Sequence, residues 1–294
     1  MLAGFSDWFD RHLAKIVIAP SFAAVLYFVY GFIGWTGYVS MTKSRILPKY
    51  EFAGLIQYEK LFDMPRWEVA VNNLFIFSGL FILICLVVGV VLAILLDQQI
   101  RAEGGLRTIY LYPMALSFIV TGTAWKWILN PGLGIERVVR SLGYVDFRFD
   151  WLVNPDMAIY TVVIAGVWQS SGFVMALFLA GLRSFDQEVV KAAYMDGASL
   201  ARIYISIILP SLRAVFLSAI VVLAHLAIKS FDLVVALTGG GPGYATDLPA
   251  TFMYAMAFQR SQLGMSAASA VIMLMTVMAI IVPYLYSELR NKPQ

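Results

Sequence analysis

The most regular feature of the chain is a series of long stretches that contain no Asp, Glu, Lys or Arg. A hydrocarbon core about 30 Å thick is crossed by about 20 residues of α-helix, so stretches of this length predict transmembrane helices. Five such stretches occur along the chain: Ile16 to Thr42, Val69 to Leu96, Thr108 to Trp125, Met157 to Leu182 and Ser261 to Ser287.

The third stretch becomes long enough if Lys126 directs its ammonium group to the membrane surface and the helix continues to Leu129. A sixth stretch, Ile203 to Leu237, carries charged residues near both ends, but its centre from Ala214 to Ile228 is almost wholly apolar. We therefore predict an all-α integral membrane protein, a single transmembrane domain over residues 1–294, with six transmembrane helices at 16–42, 69–96, 106–129, 157–182, 205–237 and 262–287.

Composition supports a membrane environment. Hydrophobic residues make up 61% of the chain and charged residues 13%, whereas soluble domains have about 45–50% and about 25%. The net charge of +3 is too small to indicate a nucleic-acid partner, so we expect lipid and not nucleic acid. The lone Cys85 cannot form a disulfide within the chain. The first apolar stretch is too long for a signal-peptide core, so we expect it to be retained, with the mature chain beginning at Met1.

Alternation of the six predicted spans places both termini and the polar segments 97–107 and 183–202 on one side of the membrane. Lys and Arg residues are divided almost equally between the two sides, but those on the terminus side lie closer to the helix ends. The positive-inside rule therefore favours a cytoplasmic location for the termini only slightly.

The chain has no residue pattern typical of an enzyme. Its two histidines, His12 and His225, are far apart, so no Cys/His metal motif is possible. Ser170-Ser171 lacks the flanking glycines of a nucleophile elbow. The glycine-rich run 238–243 has no Gly-Lys-Ser/Thr after it and so is not a phosphate-binding loop. We expect a non-catalytic chain that has no cofactor of its own, so if the protein uses ATP, another chain must bind it.

The polar segment 183–204, between the fourth and fifth predicted spans, carries helix signals of its own. Ser184 and Gln187 are spaced as in a capping box, and the acidic residues on either side of Gln187 favour the positive end of a helix dipole. Gly197 predicts the helix end, because glycine tolerates the left-handed conformation. Ser199 then caps a second helix that continues into the fifth span until Pro210.

Within this segment, Val189, Ala192 and Ala193 have i, i+3 and i+4 spacing and predict a narrow stripe of small residues. A longer pattern is formed by Ala192-Ala193, Gly197, Ile207 and Leu209-Pro210. This pattern resembles the cytoplasmic EAA loop of type I ABC importer permeases. One departure is Lys191, which occupies the glutamate position of the family pattern and leaves the acidic contribution to Glu188 and Asp186.

Two further signatures resemble those of carbohydrate permeases of the maltose and glycerol-phosphate type. One is Asp196-Gly197-Ala198. The other lies near the end of the fifth predicted span and consists of Phe231-Asp232, Leu237-Thr238-Gly239-Gly240-Gly241-Pro242-Gly243 and Thr246. The resemblance extends from Asn72-Asn73 over most of the remaining chain.

The resemblance implies a complex of two distinct permease chains, two ATPase chains that bind ATP and magnesium, and an extracytoplasmic solute-binding protein. It implies a small carbohydrate as substrate, and a location in the bacterial inner (cytoplasmic) membrane with both termini and loop 183–204 in the cytoplasm. Closure of the ATPase dimer would be transmitted through Pro210 and the fifth predicted span as a rigid-body shift between inward-open and outward-open states. The residues expected to couple to the ATPase are Glu188, Ala192, Ala193, Asp196, Gly197, Ala198 and Pro210.

Lys229 and Asp232 are the charged residues of the fifth predicted span that we expect to face the bundle interior, because lipid exposure of a charge is costly. Their i, i+3 spacing places them on one helix face, where they form either a structural ion pair or part of the substrate pathway. In the second interpretation Asp232 accepts hydrogen bonds from sugar hydroxyl groups, together with Gln169, and the sugar stacks on Trp168.

Three alternatives to a sugar permease remain open on the sequence alone. A glycerol-phosphate or other polar-solute permease of the same type would have much the same motifs. An ion-coupled secondary transporter or channel would need no ATPase, and the EAA-like loop argues against it. A membrane-bound enzyme is disfavoured by the missing catalytic residues.

Overall fold

The structure is a computed structural model that describes residues 2–98 and 100–290, and within these residues it contains helices and no β-strand. The predicted cytoplasmic ends Met1 and Gln294 lie outside the described residues. The α-helices are α1 Leu2–Val25, α2 Gly31–Ser40, α3 Ile56–Phe62, α4 Pro65–Asp97, α5 Glu103–Ala115, α6 Phe118–Ile128, α7 Ile135–Ser141, α8 Ala158–Arg183, α9 Gln187–Met195, α10 Leu200–Ile203, α11 Leu209–Ser211, α12 Arg213–Ile228, α13 Asp232–Leu237, α14 Pro249–Tyr254 and α15 Leu263–Arg290. Three π-helical turns among the described residues occupy Leu26–Tyr30, Tyr204–Ile208 and Ala255–Gln259.

Four helical segments are long and apolar enough to cross a membrane, and each overlaps a predicted span: Val17–Ser40, Pro65–Asp97, Ala158–Arg183 and Leu263–Tyr286. A fifth is obtained if the bent pair Leu200–Ser211 and Arg213–Ile228 is one span. Among the described residues the structure thus offers four or five candidates, and six spans stay a prediction.

The third predicted span, 106–129, is divided into α5 and α6, so the expectation of one continuous helix to Leu129 is wrong. Leu116 and Ser117 adopt extended backbone conformations, and the Ser117 hydroxyl accepts a hydrogen bond from the N–H of Val120 at 3.3 Å. A capping serine inside an apolar run therefore starts a new helix, because its side chain replaces a backbone partner.

The fifth predicted span, 205–237, is also not one helix. The chain bends by 68° at Leu212, shortly after Pro210, which has no N–H to continue the helical ladder. Helix α12 then ends at Ile228, and residues 229–231 separate it from the short helix α13. Lys229 consequently lies between α12 and α13, whereas Asp232 is the first residue of α13.

The chain divides into two compact units, residues 1–63 with 253–272 and residues 64–252 with 273–294. The core of the larger unit is built on α8, the most buried candidate span, which packs along α4. Small residues allow close approach: a Cβ at Gly89 would lie 2.5 Å from Cγ1 of Val174, and a Cβ at Gly122 would lie 2.7 Å from that of Ala236. Helix α6 is thereby held against α13.

The smaller unit contains the first candidate span, α3, the last π-helical turn and the beginning of α15. The loop after Ser40 folds back on itself, with an isolated antiparallel bridge between Thr42 and Phe52. The side chains of Val17–Ser40 are largely exposed, as expected of a helix whose neighbours are lipid or another chain.

Candidate coupling loop and transport cavity

The helix predicted in segment 183–204 is present as α9, but its cap differs from the prediction. The N-cap is Asp186, whose Oδ1 accepts a hydrogen bond from the N–H of Glu188 at 2.8 Å. The hydroxyl of Ser184 instead donates to the carbonyl of Gly181 at the end of α8. Asp caps a helix as well as Ser does, and it also places a negative charge at the helix start. Asp186 therefore replaces Ser184 as the cap, and α9 begins at Gln187.

The end of α9 agrees with the predicted stop. Gly197 has φ +77°, and the N–H of Ala198 donates to the carbonyl of Ala193 at 3.0 Å, the hydrogen bond of a Schellman motif. The following helix begins after Ser199, whose hydroxyl accepts from the N–H of Arg202. The loop is therefore a helix, a tight glycine turn and a second capped helix.

The structure corrects the orientation of the small-residue stripe. Ala193 is 7% exposed and belongs to the core cluster of the chain, with Val190 and Ala198 packed against that cluster. Adjacent residues of a helix differ in direction by about 100°, so Ala192 is exposed although Ala193 is buried. Ala193 thus holds α9 against the core of the larger unit and does not face outward.

The outward face of α9 carries Glu188, Lys191, Ala192 and Met195. Lys191 forms an exposed ion pair with Glu188, with Nζ and Oε1 3.1 Å apart. Met195 is 89% exposed and is a large apolar side chain for such a position. The sequence analysis missed Met195, although an apolar residue beside the helix stop could have indicated it.

Tyr204 links the loop to the end of α4. Its hydroxyl donates to Oδ2 of Asp97 at 2.6 Å and accepts from Nε2 of Gln98 at 2.9 Å. The 68° bend follows at Leu212, eight residues further along the chain. The second helix of the loop is therefore attached to α4 on one side and leads through Pro210 to α12 on the other.

Gln169 and Asp232 line one cavity of about 410 Å³. Gln169 is buried, and its Nε2 donates to the carbonyl of Leu116 at 2.8 Å, at the break between α5 and α6. Its Oε1 is buried with no hydrogen-bond partner within the described part of the chain. The other lining residues are Met114, Leu116, Ser117, Phe118, Ser170, Phe173, Val222 and Leu226.

Trp168 and Lys229 are not part of this cavity. Trp168 packs edge-to-face on Trp125, with ring centroids 5.9 Å apart, and lines a separate apolar cavity of about 460 Å³. Lys229 ends α12 and is exposed, and no ion pair joins it to Asp232 in residues 100–290. The structural ion pair considered in the sequence analysis is therefore absent, and of the four pathway residues only Gln169 and Asp232 are brought together.

The glycine-rich segment 238–246 is attached to the start of α4. Nδ2 of Asn73 donates to the carbonyls of Ala245 and Asp247 at 2.9 and 3.0 Å. Arg66 and the buried Asp247 form an ion pair with Nε and Oδ2 2.6 Å apart, and the Arg66 guanidinium lies over the ring of Tyr244. The sequence analysis missed the Arg66–Asp247 pair, because the two residues are far apart in the sequence.

No group of three or more His, Cys, Asp and Glu side chains that could hold a metal ion occurs among the residues that the structure describes. The features found instead are an exposed loop helix, a bent helix that follows it, and a partly polar cavity between helices. The profile of the family described as binding-protein-dependent transport system inner membrane component matches residues 85–291, and the chain belongs to this family.

Individual relatives agree with this assignment. The chain is 39% identical over 273 residues to a probable ABC transporter permease protein of Pyrococcus horikoshii, covering 92% of this chain and 94% of that one. It is 40% identical over 268 residues to the xylose/arabinose import permease protein XacH of Haloferax volcanii, covering 90% and 84%.

The fold is also similar to that of a solved structure. A chain of a bacterial ABC transporter involved in the import of the acidic polysaccharide alginate superposes with a TM-score of 0.83 at 19% identity, covering 98% of this chain and 99% of that one. The predicted class is therefore confirmed: the chain is a multi-pass, non-catalytic permease subunit of an ABC importer, with the type I fold. A secondary transporter and a membrane enzyme are set aside.

Proposed function

We propose that this chain, together with a second permease, forms the pathway for a small carbohydrate that an extracytoplasmic binding protein delivers. Two ATPase chains bind ATP and magnesium on the other side of the cytoplasmic membrane, where both termini and loop 183–204 lie. The relative XacH supports the substrate class, since its name assigns it to xylose and arabinose import.

The observation that carries the substrate class is the cavity of Gln169 and Asp232. Two acceptors are available there, the unpaired Oε1 of Gln169 and the Asp232 carboxylate, and sugar hydroxyl groups are suitable donors. Among the described residues, no Lys or Arg lines the cavity. A glycerol-phosphate substrate is less well matched, because its phosphate would meet a carboxylate without a compensating cation.

Loop 183–204 is proposed to couple this pathway to ATP hydrolysis. Glu188, Ala192, Met195 and Asp196 form the exposed surface that a groove on an ATPase would receive, with Met195 as its apolar anchor. Displacement of the loop would move the segment that leads through Pro210 and the bend to α12, and would shift the bundle between inward-open and outward-open states.

A transport assay of the reconstituted complex tests the substrate contacts. We expect Asp232→Asn and Gln169→Ala to leave the complex assembled, to lower the transport rate on the order of tenfold, and to change the order of preference among sugars, because each removes a hydrogen-bond acceptor. The matched control is Asp146→Asn, in an exposed loop. Unchanged sugar preference in well-assembled variants would refute the contacts.

A further inference from the structure

A second polar cavity, of about 210 Å³, lies in the smaller unit, where two candidate spans end. The span Val17–Ser40 ends just before it and Leu263–Tyr286 begins beside it, so it lies at the depth of the lipid headgroups. The exposed aromatic side chains of Trp35, Tyr38 and Tyr50 mark the same level. Its lining residues are Lys43, Ser44, Arg45, Ile56, Gln57, Lys60, Gln262 and Met265.

The charge of this cavity is one-sided. Lys43, Arg45 and Lys60 line it, and no carboxylate from the described part of the chain does. None of the three has an ion-pair partner within 4 Å in residues 2–98 and 100–290. Cations that share a small space repel one another, and the N-terminal end of the long helix α15 adds further positive potential. An anion in the cavity would relieve this repulsion.

The backbone that carries these cations is held in place by buried polar groups. The hydroxyls of Thr42 and Ser44 are hydrogen-bonded at 2.6 Å, and Nε2 of Gln57 donates to the carbonyl of Thr42 at 2.7 Å. The N–H of Gly264 donates to the carbonyl of Ser44, and a Cβ there would lie 2.7 Å from the Thr42 carbonyl oxygen. The cavity is thus a built part of the unit and not a chance gap between mobile side chains.

Two further observations indicate what kind of anion fits. Oε1 of Gln262 is buried and has no hydrogen-bond partner among the described residues, so a ligand with a hydroxyl donor would satisfy it. Large apolar side chains of the adjacent loop and α3 are exposed, an arrangement suited to acyl chains and not to water. They are Ile46, Leu47, Phe52, Leu55 and Phe62.

We propose that this cavity binds the phosphate group of an anionic phospholipid, with Lys43, Arg45 and Lys60 around the phosphate and Gln262 accepting from a headgroup hydroxyl. The depth at the membrane surface and the exposed apolar residues favour a lipid over dissolved phosphate. The site is separate from the transport cavity, which lies in the larger unit. It does not depend on the identity of the transported solute.

Native mass spectrometry of the assembled, delipidated complex tests this site. Phosphatidylglycerol, phosphatidylcholine and inorganic phosphate are titrated separately. We expect the triple variant Lys43→Gln, Arg45→Gln, Lys60→Gln to bind phosphatidylglycerol at this site on the order of tenfold more weakly, since each basic residue near an anionic lipid surface contributes measurably. Phosphatidylcholine binding should not change. The control is Lys49→Gln, an exposed lysine of the same loop outside the cavity lining.

Equal retention of phosphatidylglycerol by the triple variant and by Lys49→Gln would overturn the site. Equal affinity of the wild-type complex for the two lipids would overturn it as well. If the complex binds inorganic phosphate but not phosphatidylglycerol, the proposal that the bound phosphate group belongs to a lipid is overturned. Loss of binding-protein association in the triple variant, with lipid binding unchanged, would assign the cations to protein docking and also overturn the proposal.

Discussion

At the scale of single residues, Gly197 has the clearest requirement. Its φ of +77° is costly for any residue with a Cβ, by about 1 kcal/mol, although no atom lies within 4 Å of where that Cβ would be. The constraint therefore comes from the backbone and not from crowding within the chain. The turn it forms determines where α9 ends and where the second helix of the loop begins.

We expect Gly197→Trp to leave membrane insertion and assembly normal while transport and substrate-stimulated ATP hydrolysis are lost, because the turn is strained and the outer surface of the loop is blocked. Both rates are measured on the reconstituted complex. Gly105→Ala is the control, since Gly105 lies within helix α5 with no atoms near its would-be Cβ. Wild-type coupling in Gly197→Trp would contradict the role of the turn.

At the scale of elements, the side-chain hydrogen bonds between the coupling loop and the end of α4 meet at one hydroxyl group, that of Tyr204. Tyr204 joins Asp97 at 2.6 Å, a short hydrogen bond to a carboxylate, and such bonds contribute about 1.5–3 kcal/mol. Removing the hydroxyl leaves Asp97 without this donor. We expect Tyr204→Phe to lower the thermal stability of the complex and to reduce coupling.

A double-mutant cycle with Asp97→Asn measures whether the two side chains act as a pair. If they do, Asp97→Asn should lower the thermal stability of the complex only slightly further once Tyr204 has been replaced by Phe. Tyr112→Phe, an exposed tyrosine, is the control for loss of a phenolic hydroxyl. Fully additive effects of Tyr204→Phe and Asp97→Asn would show that the contact does not link loop and helix.

The elements also show how far sequence reasoning reaches. Apolar length predicts where helices cross the membrane, because burial in lipid acts on every residue of the run. The break at Ser117 has a local signal, the capping serine, whereas the break at Lys229 accompanies the packing of α13 against α6 and has no such signal. Likewise, Ala192 and Ala193 are equally small, and only the core contacts of Ala193 determine which of them faces inward. The joint placement of Gln169 and Asp232 in one cavity follows from such tertiary contacts.

At the scale of the whole molecule, α8 connects the proposed transport cavity and the proposed coupling loop of the larger unit. Gln169 of the transport cavity and Arg183 at the start of the coupling loop lie on this one helix. Their separation along its axis is about 21 Å at 1.5 Å per residue. A buried, unbroken helix of this length moves as a rigid body, which suits the transmission of ATPase closure to the pathway.

The central claim is that the exposed face of α9 seats on an ATPase chain. The measurement is photo-crosslinking from a benzophenone amino acid placed at Met195 in the assembled, transport-competent complex, with position 144 in the predicted external loop as control. The account predicts an ATP-dependent crosslink from 195 to the ATPase chain and none from 144. Failure of position 195 to crosslink, or its labelling as a cysteine by an impermeant reagent from outside intact cells, would contradict the account.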